Sequence, residues 1–153
     1  MPAVFAHGAL RLYLLSLLEG GPKHGYELIK ALKDRFGGAY SPSAGTIYPR
    51  LGKLQADGLV ATQPSGRRTT YLITAEGLAE LNHRQVDLAA VERGITASVQ
   101  QLAIDRMLQQ FRDGIRADLQ RQGPPAPLDA VALDHVRLVL EDARAAIGAA
   151  LHG

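Results

Sequence analysis

Residues 59–73, LVATQPSGRRTTYLI, interrupt a chain that otherwise carries helical periodicity. Two runs rich in β-branched or aromatic residues, 59–63 and 69–73, flank Pro64, Ser65 and Gly66, whose turn chemistry predicts a β-hairpin with Arg67 and Arg68 at its tip. A hairpin set among helices narrows the choice of architecture, because the helices around it must fit one small sheet.

Three helical segments precede the hairpin. Residues 7–18 are apolar nearly all round, with Leu10, Tyr13, Leu14 and Leu17 on one side and Leu12 and Leu15 on the other, so this helix needs cover on both faces. After the turn EGGP, Leu28, Ile29, Leu32 and Phe36 mark a second amphipathic helix that Gly37 and Gly38 end. In SPSAGTIYPRLGKLQADGLV, residues 41–60, Ile47, Leu51 and Leu54 recur at helical spacing, Ser43 suits the N-cap and Gly58 the C′ position, so a third helix is expected despite Pro49.

Beyond the hairpin, Thr74 can cap a helix with Glu76 in its first turn. Apolar spacing runs through Leu78, Leu81, Leu88, Val91, Ile95, Val99 and Leu102, then resumes out of phase as Ile104, Leu108, Phe111, Ile115 and Leu119. That slip, with Gly94 and Gly114 as weak points, leaves open one long helix or two consecutive ones. The prolines of QGPPAPLD break the pattern. A last segment carries Val136, Leu140, Ala143, Ile147 and Leu151 at heptad-like spacing, as in a helix packed lengthwise on another.

Three helices, a hairpin and a helical tail follow the chain order of a winged helix-turn-helix with an appended dimerisation element. The expected fold is mainly α with a small β-hairpin. It comprises a winged-helix domain over residues 1–75 and a helical dimerisation region over 76–153, with a Pro-rich break at 123–127. Leu88, Val91, Ile95, Leu102, Phe111, Val136, Leu140 and Ile147 are the residues expected to carry dimer contacts.

Composition removes other function classes. With no cysteine, disulfides, thiolate catalysis and cysteine-held zinc are excluded, and a reducing cytoplasm is the expected setting. The histidines at 7, 24, 83, 135 and 152 show no i, i+4 pairing, so neither metal nor cofactor is expected. Phosphate-loop, dinucleotide and nucleophile-elbow motifs are missing, which argues against an enzyme. The apolar run at 12–18 is bounded by Arg11 and Glu19 and has neither basic leader nor cleavage site, so it reads as neither signal peptide nor membrane span. Residues 1–80 hold nine Lys/Arg against six Asp/Glu, whereas residues 81–153 hold eight against nine, so a polyanion would dock on the first half.

On a helical wheel of about 100° per residue, Gly45, Pro49, Gly52 and Ala56 lie within about 40° of the direction opposite Ile47, Leu51 and Leu54. Thr46, Arg50 and Lys53 border this bare ridge on one side, Tyr48 and Gln55 on the other, an arrangement suited to insertion into a major groove. A bare ridge equally suits a close helix crossing. Arg67 and Arg68 would reach a neighbouring minor groove or phosphate. His24 reads either as a phosphate ligand at a helix start or as a capping surface residue, and Tyr26 as a phosphate contact or a half-buried ring with a wet tip.

HGYELIKAL from His24, SPSAGTIYPRLGKLQADGLV from Ser41 and YLITAEGLAEL from Tyr71 resemble the sequence blocks of PadR-type transcriptional regulators, over roughly residues 10–81. The resemblance implies a homodimeric winged-helix repressor that binds palindromic double-stranded operator DNA through its third helix and wing. Dimer contacts would come from the C-terminal helices and often the first helix, and a small-molecule effector would release the DNA. By motif it places Tyr48 and Tyr26 on DNA backbone or base edges, and Ser43, Thr46, Arg50 and Lys53 along the groove face. The competing reading is a winged-helix module that contacts protein rather than DNA.

Overall fold

A computed structural model describes residues 3–123 and 126–153. The chain divides into two compact units, Met1–Leu108 and Gln109–Gly153. A 3-10 segment, Ala3–Gly8, leads into α1 (Ala9–Glu19), β1 (Lys23–His24), α2 (Gly25–Arg35), α3 (Ala44–Ala56), β2 (Val60–Ser65), β3 (Arg68–Ile73), α4 (Ala75–His83), α5 (Gln85–Arg121) and α6 (Ala130–His152).

α1 is the centre of the first unit. Its Leu10, Leu12, Tyr13, Leu14, Leu15 and Leu18 are all buried, which is what an all-round apolar helix requires. Leu28 and Leu32 of α2, Ile47, Leu51 and Leu54 of α3, Val60 and Tyr71 of the sheet, and Leu81 of α4 close over it. Phe5 adds an aromatic cluster, its ring 5.5 Å from Phe36, 5.8 Å from Tyr40 and 5.9 Å from Tyr13. Aromatics are scarce in the chain, yet four of them meet here in tilted and edge contacts.

The sheet is antiparallel in the order β1-β3-β2. β1 escapes sequence reading because two residues carry no period; Lys23 and His24 pair with Tyr71 and Thr70. The turn of the hairpin is shorter than expected. Pro64 and Ser65 belong to β2, paired with Thr69 and Arg68, and only Gly66 and Arg67 form the loop. β2 is an edge strand, where a residue without an N–H is tolerated, and Gly66 supplies the left-handed turn with φ 62°.

α3 ends in a Schellman arrangement. Gly58 N–H donates to Gln55 O at 3.0 Å and Leu59 N–H to Leu54 O at 3.0 Å, with Gly58 at φ 76°. Thr74 then fastens this corner. Its hydroxyl donates to Gly58 O at 2.7 Å and accepts from Gly77 N–H at 3.0 Å, capping α4 as its sequence predicts.

The segment after Thr74 is two helices, and the break lies at Arg84, not at the phase slip. Arg84 pairs with Asp87 at 2.9 Å and lies 3.9 Å from Glu80, bridging the two helix ends. α5 continues unbroken for 37 residues through Leu102 and Ile104. The slip marks a change of face: Ile104 stands about 160° round the helix from Leu102 at about 100° per residue. Val91 and Ile95 are buried in the core of the first unit, with Leu88 and Val99 packed against it. The first unit therefore takes in α4 and α5 as far as Leu108, beyond the winged-helix span of residues 1–75.

In the second unit, α6 is capped by Asp129, whose carboxylate accepts from Ala132 N–H at 2.7 Å. No residue of α6 is buried. Of the expected break at 123–127, residues 124 and 125 lie outside the described residues; Gly123 has φ 84°.

Candidate nucleic-acid interface

The outward face of α3 is as bare as its wheel predicts. Gly45, Pro49, Gly52 and Ala56 are all exposed, and a Cβ built at Gly52 would meet nothing within 4 Å. Among the described residues of the first unit no helix crosses this ridge closely, so the helix-crossing alternative does not hold there. α3 stays helical through Pro49, whose missing N–H leaves the Gly45 carbonyl on the exposed face for water to satisfy.

The polar residues bordering the ridge are less uniform than a groove-reading row. Ser43 sits at the N-cap, but its side chain makes no cap bond and instead shares a 3.1 Å hydrogen bond with the Thr46 hydroxyl. Arg50 folds back along its own helix, donating to Thr46 O at 2.7 Å, and is half-buried. Lys53 pairs with Asp57 at 2.9 Å, and Arg11 bonds the other oxygen of that carboxylate. The Lys53 hydrogen bond, followed by that of Arg11, holds the Asp57 carboxyl below its ordinary range. Gln55 reaches Thr62 on β2 at 3.2 Å.

Sequence-distant residues meet instead at a groove of about 600 Å³ between the start of α2, the middle of α3 and the wing. His24, Tyr26, Tyr48, Arg67 and Arg68 all line it. The Arg68 guanidinium lies 4.6 Å from the centre of the Tyr26 ring, within cation–π range, and the His24 ring stacks on Tyr26 at 5.7 Å with 11° between planes. The wing arginines thus divide: Arg67 occupies the two-residue loop, whereas Arg68 begins β3 and is drawn over α2.

His24 is held from two sides. Its Nδ1 lies 3.3 Å from Thr69 O, and its backbone N–H donates to the Glu27 carboxylate at 2.6 Å. Tyr26 and Tyr48 are exposed, at 46% and 43%. Tyr71 forms the groove's buried wall, and burial, then its neighbour Tyr48, pushes its phenol pKa up. Gly25, Glu27, Thr69 and Tyr71 escaped the sequence reading. Gly25 alone left a trace, as the small residue of HGY, but its use depends on a partner 23 positions away.

The expected dimer residues also divide. Val91 and Ile95 are covered inside the chain, a correction that follows from α5 serving as a wall of the core. Leu88 and Leu102 are half-buried, while Phe111, Val136, Leu140 and Ile147 are exposed. No described helix is long and apolar enough to cross a membrane.

Residues 14–83 match the family model described as the transcriptional regulator PadR-like family. The chain is 37% identical over 94 residues, 61% of its length, to the transcriptional regulator YqjI of Escherichia coli, and spans only 45% of that protein. It is 35% identical over 95 residues to the transcriptional regulator Rv3488 of Mycobacterium tuberculosis, covering 60% of this chain and 86% of that one. A transcriptional regulator from Clostridium thermocellum shares the fold, with a TM-score of 0.53 at 23% identity over 63% of this chain and 96% of the other. Sequence blocks, a winged-helix unit and these relatives converge: the chain belongs to the PadR-like family of transcriptional regulators, not to a class of enzymes.

Proposed function

We propose that this regulator is a cytoplasmic homodimeric repressor that binds palindromic operator DNA. The observation that carries the reading is the exposed small-residue ridge of α3 beside a groove where His24, Tyr26, Tyr48, Arg67 and Arg68 converge. A slim ridge lets a helix backbone approach base edges, and the neighbouring arginines and hydroxyls suit flanking phosphates. Ser43 and Thr46 would meet the DNA at the start of α3. Arg50 and Lys53 would have to leave Thr46 O and Asp57 to do so.

The exposed apolar residues of the later α5 and of α6 support a second copy as partner, since Phe111, Leu119, Leu133, Val136 and Leu140 stand at least half in solvent. Two-fold pairing would present two α3 ridges to half-sites about 34–36 Å apart. A small effector would act by changing that spacing, and the cavity of about 160 Å³ lined by Phe36, Tyr40, Val99 and Leu102 offers an apolar seat against α5.

Selection of bound fragments from random duplex DNA, followed by gel shifts over a salt series, tests the reading. Sequence-selective binding that weakens as salt rises is expected, with Arg68→Ala weakening all sequences alike. Binding that ignores both sequence and salt would instead favour a protein-contacting module.

A further inference from the structure

We infer that Gly25 is a positioning residue for DNA binding, acting by seating the ring of Tyr48; this rests on the DNA-binding reading above. Glycine is not required at this position by its backbone, which lies outside the left-handed region occupied by Gly37, Gly38, Gly58 and Gly66. Space is the reason. A Cβ at Gly25 would stand 2.5 Å from Tyr48 Cε1 and 2.7 Å from both its Cζ and its hydroxyl oxygen, closer than real side chains approach one another.

The ring that occupies this space is not a core ring. Tyr48 is 43% exposed and lines the groove, whereas the other tightly packed glycines meet structural neighbours, Leu59 and Ile73 at Gly77 and Val4 at Gly94. Tyr48 therefore crosses from α3 onto Gly25, the first residue of α2, in the groove that Tyr26 and Arg68 also line. The missing Cβ couples the ridge of α3 to the groove-lining side chains of α2 and the wing. A side chain at residue 25 displaces the tip of the Tyr48 ring, the far end of a flexible and partly exposed side chain, from its seat in the groove.

The test is a double-mutant cycle in the full chain, on a duplex selected by the unaltered protein from random-sequence DNA. Gly25→Ala should lower affinity at least about ten-fold, comparably to Tyr48→Ala, and the double variant should bind no more weakly than Tyr48→Ala alone. Thermal melts run in parallel: the change in melting temperature caused by Gly25→Ala should be more unfavourable in the unaltered protein than in the Tyr48→Ala background, where only alanine's own helix preference remains. If Gly25→Ala does not fold, the double variant decides, since recovery of folding supports the seat and a double variant equally unfolded overturns it. A Gly25→Ala protein that binds normally, or losses that add in the double variant, would overturn the positioning role alone. Absence of salt-sensitive binding by the unaltered protein would remove the DNA reading and this role together.

Discussion

The first unit and the tail draw on the same apolar residues, with opposite results. Leu14, Leu28, Leu51 and Ile95 are fully buried, whereas Phe111 is 56% and Leu140 50% exposed. The first unit closes helices and a sheet around α1, so the apolar stripes of α1, α2 and α3 find partners in the same chain. In the tail the apolar residues of the later α5 and of α6 stay exposed, and none of α6 is buried. α5 contains both cases: up to Val99 its apolar face supports the core, and from Ile104 the stripe turns to the other side. Apolar periodicity says that a face must be covered; it does not say by which chain.

Mutations should separate the two regions. The largest effect belongs to the core, where Leu14→Ala should cost about 2–5 kcal/mol by cavity formation, read from denaturant unfolding of the full chain. Leu140→Asp in α6 should leave the first unit's melting unchanged and raise the dimer dissociation constant at least about ten-fold in sedimentation, roughly 1.4 kcal/mol. Cutting the chain before Gly123 should act in the same direction. A truncated protein that still sediments as a dimer when dilute would assign the interface elsewhere.

Thr74→Ala should cost about 1 kcal/mol, because it removes a helix cap and the bond to Gly58 O that locks the corner between α3 and the wing. Thr74→Ser, which keeps the hydroxyl, should recover most of that loss in the same unfolding assay.

The smallest effect is a pH dependence. The Asp57 carboxyl is held below its ordinary range by Lys53 and Arg11. A carboxyl depressed in the folded state contributes stability above the ordinary value near pH 4, and that contribution is lost as pH falls through the folded value. Asp57→Asn should therefore lower the melting temperature slightly at pH 7, where the ionised carboxylate contributes, and flatten the acid limb of the profile, so that the two proteins converge at the acid end.

Legibility followed the range over which each feature is decided. α2, α3 and the hairpin strands were readable because their periods, Gly58 and the Thr74 cap are local. The two-residue β1 was not, since it exists only as a partner of β3. Pro64 read as a turn because its tolerance in β2 depends on β2 being the sheet edge. At the candidate interface, Tyr26, Tyr48 and the wing arginines were named from motif and position, but the folding back of Arg50 and the pairing of Lys53 depend on neighbours the periodicity does not report.

By itself, the sequence determined that α3 is a helix with a bare side, that a hairpin follows it and that a long apolar-striped tail ends the chain. These are matters of spacing, and spacing is written along the chain. Only the tertiary structure decided which stripe closes the core, that the ridge of Gly45, Pro49, Gly52 and Ala56 faces open space, and that residues 24, 25, 26, 48 and 68 share one groove. Those outcomes depend on contacts between segments far apart in sequence, where the volume of one side chain, or its absence at Gly25, sets what its neighbour can do.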